Sequence, residues 1–182
     1  GTGLVNNSGT GSITGATLAA SGLLTVSGSI NATAIDLTGI GIAIAGNVSD
    51  GGAGAINLVA GSGSINAPGS LTAGTLTGSA GGSATFLGIN TIAHLGDFTA
   101  NGFSFSETQA FDVAGAVSGG TGATLASGGL LTIAGSVTAA NVQLTGVGIA
   151  IPGGVSDGGA GTVTLNAGVG SINASLGTID AG

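Results

Sequence analysis

Residues 121–174 repeat residues 14–67 at a constant offset of 107 without a gap, and 36 of the 54 aligned positions are identical. Most of the remaining pairs exchange like for like, as Val26 against Ile133, Ile30 against Val137, Ile35 against Val142 and Ile56 against Val163. What is kept is apolar character at a fixed place in a period. That is the signature of a repeat array, in which each unit buries its apolar face only by stacking on its neighbours.

A finer period lies inside the large one. A triplet of Gly, a small residue and an apolar residue begins at Gly11, Gly28, Gly46, Gly63, Gly78 or Gly82, Gly96, Gly115, Gly135, Gly153 and Gly170. Most steps are roughly 17 to 20 residues, the size of one unit of a stacked repeat. Counting one triplet per unit predicts about ten rungs of roughly 18 residues. Six of them fill the offset of the large repeat. Ahead of most triplets the chain alternates apolar and small polar residues, as at Leu24 and Val26, Ile42 and Ile44, Phe111 and Val113, Leu131 and Ile133, Ile149 and Ile151. Strict alternation specifies strand, with the named residues pointing to one side.

Composition decides between the architectures that such a repeat allows. The chain has 41 Gly but only two Pro and no Gly-X-Y period, which excludes collagen. It is 42% hydrophobic and 4% charged, the reverse of a disordered chain. No apolar run approaches the ~18 residues of a membrane-spanning helix, and no signal peptide is evident. The expected fold is therefore all-β: one right-handed parallel β-helix, or β-solenoid, over 1–182. Residues 14–67 and 121–174 are its homologous parts and 68–120 an intervening part. Ten rungs at ~4.8 Å would make a rod of about 48 Å. Leu24, Val26, Ile42, Ile44, Ile133 and Ile151 are expected in its core. Residues 68–120 hold all five Phe, the only His and the only Glu. Phe86, Phe98, Phe103, Phe105 and Phe111 are expected to stack where the core is wider.

Several function classes fall away on charge alone. There is no Lys or Arg, and seven acidic residues set the net charge at −7. Phosphate binding relies on cationic side chains, so nucleic acid is excluded as a partner and anionic membrane surfaces are disfavoured. With no Cys there is no disulfide framework and no thiol chemistry. Trypsin-like proteases find no cleavage site, which suits an extracellular protein.

The repeated Gly-Ser-Ile-Asn-Ala at Gly28, Gly63 and Gly170, the Leu-Leu-Thr-Ile-Ala-Gly from Leu130, and the segment from Asn90 to Phe98 resemble the central repeats of filamentous haemagglutinin-like exoproteins of bacteria. The resemblance spans nearly the whole chain. It implies a right-handed β-helix exported by two-partner secretion, without the N-terminal secretion domain, serving adhesion, aggregation or biofilm structure outside the cell or at its surface. Such a segment would belong to a longer fibre or stack end to end on itself, and would meet cell or abiotic surfaces.

Candidate chemistry is sparse. His94 falls at an inward position of the strand template, unless the register slips to turn Leu95 inward. No set of metal ligands surrounds it, and no nucleophile elbow is visible, so no catalytic, cofactor or metal residue is assigned and no enzyme is expected. Asp50 and Asp157 lie in Ser-Asp-Gly-Gly-Ala-Gly, which superficially resembles calcium-binding nonapeptides. Those need an Asp every nine residues, whereas these two are 107 apart. The expected role is a turn, with Asp accepting backbone N–H groups ahead of a Gly pair, and a weak surface calcium site is the alternative. Both Asp should occupy equivalent corners six rungs apart. Seven acids are few for glycoside hydrolysis, and a lyase of the pectin type would use Lys or Arg. The alternative to a structural or adhesive fibre is an ice- or glycan-binding solenoid with a flat Thr/Ser/Asn face. Thr25, Thr38, Thr132 and Thr145 give it a ladder one residue wide, interrupted at Ala43 and Ala150.

Overall fold

The computed structural model describes residues 3–5 and 14–182, so the triplet at Gly11 lies outside the described residues. Every ladder between the described strands is parallel, and each strand pairs with its counterpart one circuit of the chain away. No helix occurs among the described residues. The chain forms a β-solenoid.

Three stacks of strands make its sides. Face 1 consists of Gly3–Val5, Leu23–Val26, Gly41–Ile44, Ile65–Ala67, Ala84–Phe86, Phe103–Glu107, Ala123–Ser127, Asn141–Gly146 and Thr162–Ala167. From these the chain passes to face 2: Ser29–Asn31, Asn47–Ser49, Phe111–Val113, Leu130–Ile133, Gly148–Ala150 and Ile172–Asn173. Face 3 follows: Ala16–Ala19, Ala34–Gly39, Ala55–Ala60, Ala116–Ser118, Ser136–Thr138, Gly154–Ser156 and Thr178–Asp180. The long strands Ser70–Ala80 and Thr91–Thr99 run across faces 2 and 3 and join them into one sheet.

The rung is longer than the triplet count predicts. On face 1 the register runs Gly3, Leu24, Ile42, Ile65, Ala84, Phe103, Ala123, Val142, Val163. Those eight steps average roughly 20 residues each, at the short end for a solenoid repeat. Face 1 thus counts nine described rungs. Eight steps of ~4.8 Å make a rod of about 38 Å. The count of ten fails because all three corners use the same glycine triplet. Gly28 and Gly46 turn the chain from face 1 to face 2, Gly63 from face 3 to face 1, and Gly96, Gly115, Gly135 and Gly153 from face 2 to face 3. Triplets at different corners are therefore not one rung apart.

The same fact reorients the large repeat. Ala16–Ala19 stands on face 3, while its copy within Ala123–Ser127 stands on face 1; Leu23–Val26 is on face 1 and its copy Leu130–Ile133 on face 2. The two copies are related by sixteen strand positions, five rungs and one third, not six rungs. Each copy is turned by one face about the axis, so the three sides are interchangeable environments for one sequence pattern.

The inward positions are the predicted ones. Leu24, Val26, Ile42, Ile44, Ile133 and Ile151 are all buried. On face 1 one inward row reads Ala67, Phe86, Phe105, Leu125, Leu144, Leu165, and the other places Phe103 between Ala84 and Ala123. In the second row the large Phe103 is flanked by small residues, so its ring can extend over the adjacent layers, as close packing requires. All five Phe are buried, with neighbouring ring centroids 5.0 to 6.5 Å apart in edge, tilted and stacked pairs. The aromatic residues stack on one another in the core as expected.

Candidate functional site

Outward positions carry short side chains in straight rows. Face 1 presents Thr25, Ala43, Asn66, Thr85, Ser104, Thr124, Gln143 and Thr164 in register. Face 3 presents Ser79, Thr99, Ser118, Thr138 and Ser156, a hydroxyl on each of five successive rungs. The expected ladder through Thr25 and Thr132 does not exist, because the turn of one face between copies puts Thr25 on face 1 and Thr132 on face 2.

His94 points outward, contrary to its inward assignment, and Leu95 is buried in its place. The cause is one extra residue. Ile92 and Leu95 are both buried, so Ala93 and His94 face outward together. The next rung spans the same pair of inward sites with Phe111 and Val113, separated by Asp112 alone. The preceding rung has the same spacing, Ala73 and Leu76 pairing with Ile92 and Leu95, and two outward residues between inward ones put the strand out of phase with the template from His94 on. The exposed imidazole Nδ1 meets the carboxylate Oδ1 of Asp112, its register partner. This pair sits on an open face with Thr75 on one side and Thr132 on the other. Asp97 is occupied separately, accepting the N–H of Ala116 at 2.8 Å. Among the described residues no group of three or more His, Cys, Asp or Glu is placed to hold a metal ion.

Asp50 and Asp157 are buried turn formers. Asp50 Oδ1 accepts the N–H of Gly52 at 2.6 Å, and Asp157 Oδ1 accepts that of Gly159 at 2.7 Å. The preceding Ser49 and Ser156 hydroxyls accept from Gly51 and Gly158 in the same way, at 3.1 and 3.0 Å. All four Gly have positive φ, between 77° and 87°, which only Gly adopts at little cost. The turn chemistry is as expected; the placement is not. Asp50 stands at the corner of faces 2 and 3, and Asp157 at the corner of faces 3 and 1. They also differ in their second oxygen. Asp157 Oδ2 accepts the N–H of Gly182 at 3.1 Å, whereas Asp50 Oδ2 is buried without a partner because the corresponding N–H, that of Thr75, goes to the carbonyl of Gly54.

The N–H group of Gly159, and to a lesser degree those of Gly182 and Gly161, hold the Asp157 carboxyl below the ordinary value of 3.8 against the opposing effect of burial. A lowered folded pKa stabilises the fold above the unfolded value and loses that contribution as pH falls through the folded one. The thermal midpoint of the wild type should therefore exceed that of Asp157→Asn by a constant margin from neutral pH to about 4, and the margin should shrink below it. A margin unchanged at pH 2 would remove the carboxylate from the account.

A third set of polar side chains, outside every motif of the sequence, lines the inside of the corner between faces 1 and 2. Asn90 Nδ2 donates to the carbonyls of Phe86 and Ser106, and its Oδ1 accepts from Leu71 N–H, linking three rungs. Glu107 Oε2 accepts from Ile92 N–H at 2.7 Å and its Oε1 from Thr108 and Gln109 N–H. Ser127 continues the ladder by donating to the carbonyl of Gln109. Each is buried and occupied by backbone, so the ladder pins rungs and leaves no group free for chemistry. Its signal is in the sequence: Phe103, Phe105 and Glu107 share one phase of the alternation, which turns the only Glu inward. No family model, curated protein or solved structure matches the chain.

Proposed function

We infer that this solenoid is a structural or adhesive element of a fibre outside a bacterial cell or at its surface, as in the filamentous haemagglutinin-like exoproteins it resembles, and that it is not an enzyme. The observation that carries this reading is the character of its sides: straight rows of short, mostly uncharged side chains, with the polar groups of the corners, Asp50 Oδ2 apart, taken up by backbone. Small-molecule sites are concave and gather a few polar groups. The His94–Asp112 pair stands on an open face instead. Flat rows repeated at ~4.8 Å suit an extended partner such as a cell wall, a matrix or an abiotic surface.

The test is adsorption of the purified chain, followed by mass on polysaccharide-coated, hydrophobic and bare silica surfaces, together with a screen against glycoside and ester substrates. Multivalent, slowly reversible adsorption without turnover is the expected result. A hydrolase activity abolished by His94→Ala would overturn it. The unbroken hydroxyl row of face 3 favours a second reading, an ice- or glycan-binding face. Its neighbouring row, Asp97, Ala116, Ser136 and Gly154, is mixed, so the regular face is one residue wide. Thermal hysteresis abolished by Thr138→Tyr would select this reading over the first.

A further inference from the structure

We propose that the sixth to ninth rungs of face 1 bind a neutral polysaccharide laid along the rod. This deepens the adhesive reading and rests on it. Two outward rows stand there side by side: Ser104, Thr124, Gln143 and Thr164 in one register, Ser106, Ala126, Thr145 and Asn166 in the other. Between the rows Phe105, Leu125, Leu144 and Leu165 turn inward, so the alternation of each strand puts both rows on the solvent side. Three steps of ~4.8 Å and two residues of strand make the grid about 14 Å long and about 7 Å wide. It is flat, with no side chain larger than Gln143. Its polar groups are free: none of these side chains hydrogen-bonds to another described residue, whereas the neighbouring Thr162 hydroxyl donates to Asn141 Oδ1 at 3.0 Å.

The large repeat supplies an internal comparison. Its first copy sets the equivalent positions on face 3, with Thr17, Asp36 and Asn57 in one row and Ala19, Thr38 and Val59 in the other. There Asp36 adds a charge, and Asn57 is engaged within the fold: its Nδ2 donates to Asp36 Oδ1 at 3.2 Å and its Oδ1 accepts the Thr77 hydroxyl at 3.3 Å. In the second copy Gln143 puts an amide in place of the carboxylate, Thr164 replaces Asn57 and Asn166 replaces Val59. The same positions, moved to face 1, are therefore uncharged and unengaged, and polar everywhere but at Ala126. That combination belongs to this side of the rod and not to the repeat pattern. Glu107 and Asp157, at the two corners of face 1, are buried, so no carboxylate stands beside the grid.

Hydroxyl and carboxamide groups each donate and accept, which matches the hydroxyls of an uncharged sugar. An anionic polymer would meet a chain of net charge −7 with no Lys or Arg. A single sugar would find neither a pocket nor an aromatic ring here, because all five Phe are buried and there is no Trp or Tyr. An extended glycan along the axis meets a further pair of positions at each rung, and weak contacts made together give avidity. Ice would be matched by one side chain repeated at a fixed place, whereas this grid mixes Ser, Thr, Gln and Asn.

Cosedimentation of the 182-residue chain with cellulose particles, and with particles of carboxymethylcellulose as the charged counterpart, tests the proposal. Binding to cellulose is expected, unchanged by salt because no charge takes part, and at least tenfold weaker on the carboxymethylated form. Thr124→Val, Thr145→Val and Thr164→Val together keep the β-branched shape, so the circular dichroism should stay intact while cellulose binding falls at least tenfold. Gln143→Ala alone, at an exposed position, should weaken it about threefold, and Thr99→Val with Thr138→Val on face 3 should leave it unchanged. Cellulose binding that survives the triple variant, disappears with the face 3 pair or is abolished by salt overturns the proposal. Adsorption to silica or a hydrophobic surface with none to cellulose also overturns it and leaves the adhesive reading standing; adsorption to no surface removes both. Thermal hysteresis lost in the triple variant, without cellulose binding, would make ice the occupant and overturn it too.

Discussion

Replacing Phe86 by Ala should destabilise the solenoid by about 3 to 5 kcal/mol, the cost of deleting a fully buried aromatic ring that its surroundings cannot collapse to fill. Phe86 is buried on face 1 of the fifth rung and touches three other rings, with centroids to Phe98, Phe103 and Phe105 at 5.5, 5.9 and 6.1 Å. Collapse is restricted because the rung spacing is set by the backbone ladders, not by the side chains. Phe86 stands in register between Ala67 and Phe105, so the rung on the Ala67 side has no large side chain to lend. Stability in a stacked array is the sum of rung and interface terms, and a cavity at the middle weakens two interfaces at once. Without Trp or Tyr the measurement is far-ultraviolet circular dichroism in urea. Phe86→Leu should lose clearly less than Phe86→Ala. Equal losses would mean that filling the space with another apolar side chain recovers nothing.

Much of this fold can be read from residues, because alternation and burial obey one rule on every face. Leu24, Ile42, Ile133 and the five Phe follow from period 2 and apolar character alone. The Asp50 and Asp157 turns follow from the chemistry of Asp ahead of two Gly. What does not follow is the number of rungs. A corner needs a Gly triplet whichever faces it joins, so Gly46 and Gly63 look alike in sequence while standing at different corners of the rod. Only pairing partners tell them apart, and those lie a whole circuit of the chain away. The turn of one face between the two copies is invisible for the same reason. His94 fails on a local cause: two outward residues instead of one separate the inward Ile92 and Leu95, a spacing shared by Ala73 and Leu76 on the preceding rung and not announced by strict alternation. Glu107 shows the opposite case, a phase that is readable and points inward, against the expectation that a carboxylate stays in water.

A methyl group at Gly135 should cost more than its size suggests, about 1 to 3 kcal/mol, the range for forcing extra volume into a packed interior. Gly115, Gly135 and Gly153 lie one above another at the corner of faces 2 and 3, each with an N–H or carbonyl engaged by the adjacent rung. A Cβ on Gly135 would collide with the carbonyl oxygen of Gly115, and one on Gly153 with that of Gly135, both well inside 3.0 Å. Neither neighbour is a flexible side chain, so the two rungs must part and stretch the Gly135 N–H bond to Val113, 2.7 Å long, and the Ser136 N–H bond to Gly115, 3.0 Å long. Close approach, and not backbone conformation, is what demands Gly here. Gly122 provides the contrast: its nearest neighbour would be the carbonyl oxygen of Asn141 at 3.7 Å, an ordinary contact. Gly122→Ala should leave the urea midpoint unchanged or raise it slightly through the lost freedom of the unfolded chain. Should Gly135→Ala prove as harmless as Gly122→Ala, the corners would be looser than the ladder of glycines requires, and the rung spacing at faces 2 and 3 would have to be set by the strands alone.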